Sequence, residues 1–345
     1  MGNLRQVKFE IIRIIACVFV FGVHTMWVFS PEVGLKGLYI KMVDTIFILC
    51  NPIFFMLSGK FALAQKEYTS EAQYFKFYLK KLAYLILPLL TYVFFITATN
   101  LKMETGSFSG LLQRFVLDFI SGHQSSHLWF MYVLVGNVLM SPFTSRIFAN
   151  ISKVGAIIFI SILLLTNAAI AYSPYFFSTP FSAWVNPFVG WSMYFYLGAC
   201  VDKIFTDKKS VKILTILGLG GFLIIILKKY FFSYQSHIHD YMPSFTIFAL
   251  MVYVYLNRIK AEYGEKISSI IRFLGAQSFG IYLIHFPIVF ALKEVLEIPT
   301  WCPEILFQFI YMAIVFIVSL LVSWLIGTFV LKPIQRDIEK LILKL

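Results

Sequence analysis

Charge is what this 345-residue sequence has little of: 13% of its residues are Asp, Glu, Lys or Arg, while 59% are hydrophobic. Soluble domains carry roughly 25% charged residues. A soluble globule of this size could not cover its surface with so few charges, and a disordered chain is excluded by the same numbers. Cysteine is scarce as well. Cys17, Cys50 and Cys200 lie inside apolar runs and Cys302 in an expected external loop, with no CxxC or Cys/His ligand spacing among them. Neither a disulfide framework nor a zinc site is indicated, and no metal is expected. The first apolar run follows Arg5 and Lys8, ends without an A-x-A-like site and is followed by further runs. It reads as a signal anchor rather than a cleaved leader. Internal repeats and low-complexity linkers are missing too, so a single membrane domain over residues 1–345 is expected.

What is present is apolar sequence, with a mean hydropathy of +0.81. A spanning helix takes about 20 mostly apolar residues. That rule yields ten candidates: 10–29, 39–63, 78–100, 127–148, 154–173, 184–203, 211–232, 241–258, 270–292 and 306–331. The stretch 107–121 reads as an amphipathic interfacial helix. The expected fold class is therefore all-α, a polytopic membrane protein of about ten transmembrane helices.

An even number of spans puts both termini on one side. With the termini in the cytoplasm, the outer loops hold Lys36, Lys41, Lys102, Arg114, Lys228, Lys229 and Lys293, and the first span holds Arg13. The other 21 of the 29 Lys and Arg residues fall in inner segments. Basic residues concentrate in cytoplasmic loops, so the bias supports this orientation. The formal net charge of +12 divides into +13 for the inner segments, zero for the outer ones and −1 for Glu10, Arg13 and Asp44. In a soluble protein such an excess would suggest nucleic acid. Here it is a topology signal, and no nucleic-acid partner is expected.

A charged side chain within a span costs roughly 2.5–3.5 kcal/mol on insertion scales, so each needs a reason. Glu10 precedes Arg13 by three residues, which permits an i,i+3 ion pair. Arg13 and His24 are eleven residues apart, about 20° beyond three full turns, so they share a helix face with a rise of about 16 Å between them. The first span thus carries a polar stripe, Arg13 toward the cytoplasm and His24 toward the outer face. A boundary ion pair at the inner headgroups, and a buried histidine bonding a neighbouring helix, are the ordinary alternatives.

The fourth span opens with His127-Leu128-Trp129-Phe130 at the outer face, where Trp129 suits an aromatic belt. In the ninth span Ser278, Tyr282 and His285 recur at spacings of four and three, sharing a face. That span runs outward, so His285 also falls in the outer half. Three histidines of three separate spans thus lie at similar depth. His123, His237 and His239 fall in outer segments and read as loop residues. In the second span, Asn51-Pro52 and Ser58-Gly59 free a backbone carbonyl and allow close helix approach. Ordinary packing accounts for Ser58 and Gly59 better than catalysis does. Asp44 lies near the outer end of the same span, as an interfacial or cavity carboxylate. Lys80 and Lys81 open the third span on the inner side, as topogenic flank or as phosphate ligands.

Taken together, these segments resemble acyltransferase family 3, the integral-membrane O-acyltransferases of surface carbohydrates. The family's first-span signature, an acidic residue, an Arg three later and then ten residues and a His, reads here as Glu10, Arg13 and His24, with Glu where Asp is usual. Pro52-Ile53-Phe54-Phe55-Met56-Leu57-Ser58-Gly59 is similar to the family's P-x-F-F-x-x-S-G. In the basic segment before Pro88 only Lys80 and Lys81 match, and Tyr84 stands where a third basic residue is common. His127-Leu128-Trp129-Phe130 and the run from Ser278 to His285 complete the match, which extends over about residues 7–330. The hydrolase-like external domain fused to some members is expected to be absent.

The resemblance implies transfer of an acyl group, most often acetyl, from an acyl-CoA (acetyl-CoA) to a sugar hydroxyl. It implies catalytic roles for His24, Arg13, Glu10, His285 and His127, and donor binding by Arg13, Lys80 and Lys81. Ser278, Tyr282, Trp129, Asn51 and Ser58 are expected to position substrate. The implied partners are the lipid bilayer, acyl-CoA and a cell-surface or lipid-linked carbohydrate. The expected location is the cytoplasmic membrane of a bacterium, crossed many times. A polysaccharide exporter or flippase without acyl transfer would suit ten spans and a polar interior as well, but needs no Arg–His pair on one face. A sensor or structural membrane partner fits less well, because the polar residues are concentrated rather than scattered.

Overall fold

Backbone N–H and C=O groups in hydrocarbon have to be satisfied within the protein, which confines spanning segments to helices or closed barrels. The computed structural model describes residues 7–25, 34–64, 68–101, 108–121, 127–176, 188–231, 242–260, 262–297, 299 and 301–345, and no strand occurs among them. His123, His237 and His239 lie outside the described residues, as do Lys66 and Lys102.

The helices in chain order are α1 (Val7–Thr25), α2 (Gly34–Phe47), α3 (Cys50–Ala62), α4 (Glu71–Lys81), α5 (Leu87–Leu101), α6 (Phe108–Ser121) and α7 (Trp129–Ala149). They continue with α8 (Lys153–Phe176), α9 (Ser192–Ile204), α10 (Lys208–Phe231), α11 (Pro243–Asn257), α12 (Glu265–Lys293), α13 (Glu304–Ile326) and α14 (Lys332–Lys344). Two π-helical turns, Leu82–Ile86 and Gly327–Leu331, join α4 to α5 and α13 to α14. Among the described residues six stretches are long and apolar enough to cross a membrane: Lys41–Ala62, Glu71–Thr99, Lys153–Ser173, Lys208–Phe231, Glu265–Lys293 and Glu304–Lys344. The chain is thus an all-α, multi-pass membrane protein. Helix lies in each of the ten expected stretches, but several are shorter or more polar than the six; α9, for instance, is 13 residues long.

Proline sets the breaks. Pro52 has no N–H for the carbonyl of Ile48, and α2 gives way to α3 at Ile48–Leu49. Each π turn stands just ahead of a proline, Pro88 or Pro333. In the first, the Leu87 N–H donates to the carbonyl of Leu82. The next carbonyl at that spacing, Ala83, faces the ring nitrogen of Pro88, which cannot donate; the Gln335 side chain donates to it instead, at 3.0 Å. The expected amphipathic segment is α6. It exposes Leu112, Val116, Leu117 and Ile120 and buries Asp118, which accepts from Thr97 at 2.8 Å and pairs with Arg114 at 3.3 Å.

The chain forms two compact units, Met1–Val23, Pro31–Glu67 and Met140–Arg272 in one, and His24–Ser30, Tyr68–Leu139 and Phe273–Leu345 in the other. In the first unit α3 and α9 run side by side in parallel. Phe55 stacks on Trp191, and five residues on Lys60 bonds Asp202. Between these contacts a Cβ on Gly59 would stand 1.7 Å from the carbonyl oxygen of Phe195, and one on Gly198 would stand 1.9 Å from that of Met56. Each helix uses a glycine to admit the other's backbone, so Gly59 has the packing role expected of it.

Charges in this unit find partners from segments assigned to the same side. Lys229 pairs with Asp44 at 2.8 Å, with side-chain exposures of 8% and 15%, and Lys41 donates to the Lys229 carbonyl. Lys229 belongs to the outer group and Asp44 is expected near the outer end of its span, and pairing away from solvent explains how Asp44 is tolerated there. Among the residues expected on the inner side, Lys60 donates to Asp202 and, at 3.1 Å, to Asn257, which itself donates to Asp202 at 2.8 Å.

Candidate functional site

The second unit holds a cluster of imidazoles from three parts of the chain. His24 comes from the last turn of α1, His127 from the turn entering α7, and His285 from the last third of α12. The His285 ring lies 5.1 Å from that of His24 and 5.2 Å from that of His127, centre to centre. Phe286 packs edge-on to His24 at 5.2 Å and stacks on His127 at 4.7 Å, so it keeps both rings in place. His285 and His127 are buried, and His24 is half-buried.

Local backbone chemistry explains how two of these rings are oriented. Pro287 lies inside α12 and brings no N–H to the carbonyl four residues earlier, that of Leu283. His127 Nε2 approaches this carbonyl at 3.4 Å. His285 Nδ1 lies 2.6 Å from the carbonyl of Tyr282, one turn back on its own helix. A carbonyl oxygen only accepts, so the network assigns the proton to Nε2 of His127 and to Nδ1 of His285. The lone pair of the neutral ring then sits on Nδ1 of His127 and on Nε2 of His285. The His127 Nδ1 is buried with no hydrogen-bond partner among the described residues. Tyr282 ties the two segments further, its hydroxyl donating to the His127 carbonyl.

The remaining expected residues take varied places. Ser278, one turn before Tyr282, is buried and donates to the Gly275 carbonyl at 2.8 Å. Trp129 is 36% exposed, as a belt residue would be. The other candidates outside this cluster belong to different surroundings. In the first unit Glu10, 1% exposed, pairs with Arg13 at 2.5 Å, the i,i+3 geometry read from the spacing. Asn51 and Ser58 lie half-buried on α3, Ser58 next to the glycine packed on α9. In the second unit Lys81 sits over the Phe77 ring at 5.1 Å, and Lys80 is exposed at the end of α4. Tyr84, in the place of a third basic residue, bonds Glu339 of α14.

Three residues of this region escaped the sequence reading. Phe286 carries no polar signal. Pro287 does, since a proline within an apolar run marks a free carbonyl four residues earlier. Gln308 of α13, fully buried, is an amide inside an apolar span and stood out by that alone. Among the described residues no group of three or more His, Cys, Asp and Glu is arranged to hold a metal ion.

The arrangement combines basic nitrogens, those of His127 and His285 buried and oriented, with a shell of aromatic rings. Such a site can take a proton from a hydroxyl or form a bond to a carbonyl carbon. A comparison with protein families matches the acyltransferase domain over residues 6–328, nearly the whole chain. No curated protein and no solved structure matches it. The five motifs quoted above all fall inside that span, and with the helical, multi-pass fold they lead to one assignment: this chain belongs to acyltransferase family 3 and is a membrane acyltransferase.

Proposed function

We propose that this chain is an O-acyltransferase, specifically an O-acetyltransferase, that moves an acyl group from acyl-CoA to a hydroxyl of an exported or lipid-linked cell-surface saccharide. The observation that carries the reading is the convergence of His24, His127 and His285 around Phe286. A hydroxyl is a poor nucleophile at neutral pH, and a placed imidazole removes its proton as it attacks. In this reading the lone pair of His24 takes the hydroxyl proton while the oxygen bonds the thioester carbonyl carbon. The C–S bond then breaks, and the proton passes to the departing thiolate, leaving an ester and free CoA thiol. In the covalent version His24 attacks the thioester first, CoA thiol departs, and the sugar hydroxyl displaces the imidazole from the acyl carbon. His285, with its lone pair on Nε2 and its ring 5.1 Å from that of His24, serves as proton relay, and His127 with Tyr282, Ser278 and Trp129 shapes the acceptor side.

Arg13, neutralised in part by Glu10, is assigned the donor's phosphate or carbonyl, with Lys80 and Lys81 attracting its phosphates. Asn51 and Ser58 are assigned to substrate positioning. The eleven-residue spacing of Arg13 and His24 corresponds to a helical rise of about 16 Å, which suits a donor entering from the cytoplasm and acylation toward the outside. Ten spans over a single domain of residues 1–345, both termini cytoplasmic, and a bacterial cell membrane complete the proposal; the basic inner face gathers an anionic donor.

The test compares acylation and export of the surface glycan in a deletion strain carrying wild type or His24→Ala. Lost acylation with normal export supports the enzyme. Retained acylation with lost export overturns it in favour of an exporter.

A further inference from the structure

The mechanism above leaves α13 unused, yet this helix buries polar side chains that the second unit does not satisfy. Gln308 and Ser319 are both 0% exposed. Neither amide atom of Gln308 nor the hydroxyl of Ser319 has a hydrogen-bond partner among the described residues. Moving an amide or hydroxyl out of water with no compensating bond is unfavourable. Buried polar groups are for that reason nearly always bonded to something. Within a spanning helix, such groups mark substrate paths.

The position of both residues follows from how α13 lies on α12. The Tyr311 hydroxyl donates to the Val289 carbonyl, and the Ser323 hydroxyl donates to the Gln277 side chain at 3.3 Å. Twelve residues forward along α13 is thus twelve residues back along α12, an antiparallel pair in constant register. That register puts Val315 level with His285. Gln308 then lies about 10 Å beyond His285 toward the loop that joins the two helices, and Ser319 about 6 Å before it, at 1.5 Å per residue. Gln308 and Ser319 are eleven residues apart, so about 20° separates them around the helix. Tyr311 and Ser323 stand about 60° to either side of Gln308, and both bond α12. The line from Gln308 to Ser319 is therefore the middle of the face turned to α12. His285 falls on the matching side of α12, about 80° from Gln277 and 40° from Val289.

We infer that Gln308 and Ser319 align the two substrates on opposite sides of the histidine cluster. This inference rests on the O-acyltransferase reading. Gln308 lies toward the side from which the saccharide comes. Its planar amide offers donor and acceptor together, the pair needed by neighbouring hydroxyls of one sugar ring. It holds a sugar next to the one that is acylated. Ser319 lies toward the side from which the donor comes. Its hydroxyl donates to a carbonyl of the amide-bearing arm that ends in the thioester. Both are positioning residues: neither touches the reacting atoms.

The experiment uses the purified full-length chain, deacylated glycan from the deletion strain and the acyl-CoA that wild type uses, with KM measured for each substrate and unfolding followed by heat. Gln308→Leu, which keeps the volume, raises the glycan KM about tenfold, one lost hydrogen-bond network in free energy, and leaves the acyl-CoA KM unchanged. Its unfolding temperature stays level or rises, because an unsatisfied amide has been removed. Ser319→Ala raises the acyl-CoA KM severalfold and leaves the glycan KM unchanged. A lowered unfolding temperature with both KM values unchanged would mean structural hydrogen bonds and overturns the inference, as does any pattern in which the two KM values move together. Failure of the underlying reading is seen separately, in wild type transferring no acyl group to glycan, and the inference falls with it.

Discussion

The imidazole of His127 donates to the backbone carbonyl of Leu283, the one carbonyl of that turn for which Pro287 supplies no helical N–H. A residue that would ordinarily weaken a helix here creates an acceptor, and a histidine from a distant part of the chain uses it. The tautomer of His127 follows, with its lone pair on Nδ1.

Pro287→Ala should separate stability from activity. The alanine N–H would reclaim the Leu283 carbonyl, and a helix-interior proline is about 3 kcal/mol less favourable than alanine. The unfolding temperature is expected to stay level or rise. His127 would lose its anchor, and a misplaced group near the chemistry costs on the order of 10–100-fold in rate. Steady-state kcat for acyl transfer checks this; a variant that turns over like wild type would show that His127 needs no such anchor.

In the Asp44–Lys229 pair of the first unit Lys229 is buried and Asp44 largely so. Removing one partner leaves a lone buried charge, at a cost of about 3–5 kcal/mol, whereas replacing both with apolar residues is often neutral. Lys229→Leu and Asp44→Leu are each expected to lower the unfolding temperature in detergent, and the double variant to recover most of it. Additive losses in the double variant would contradict the pairing.

Asp207 precedes α10 and accepts from the Ser210 N–H at 2.8 Å, with Lys153 at 3.5 Å. The backbone bond from Ser210 is the main reason that its carboxyl is held below the usual carboxylate range, and Lys153 adds to it. The ionised form is therefore favoured by folding. Its contribution is complete above about pH 4, the unfolded range, and is lost as pH falls through the lower folded value. Asp207→Asn keeps a cap for the helix but removes the titration. Between about pH 5 and pH 3 wild type is expected to lose more thermal stability than the variant; parallel curves would refute the linkage.

Much of this protein is local and can be read one segment at a time. The apolar runs that become helices, the amphipathic α6, the Glu10–Arg13 pair and the similar depth of three histidines all follow from helical rise, helical phase and the cost of charge in hydrocarbon. These quantities depend on residues a few positions apart. Family membership was legible for the same reason, since its motifs are short and ordered along the chain.

Tertiary structure decided what no one-dimensional pattern contains: which helix faces which. Periodicity places His24, His127 and His285 on faces and at depths, but leaves the order of helices around one another open; packing brought their rings to 5.1 and 5.2 Å. It matched Asp44 with Lys229, 185 residues away, and the Pro287-freed carbonyl with His127, 156 residues from Leu283. It also turned Gln308 inward, where the sequence showed only an amide in an apolar run. The physical reason is common to all four. A helix's face is a property of its own residues, whereas the partner of that face is chosen by close packing among all the helices at once.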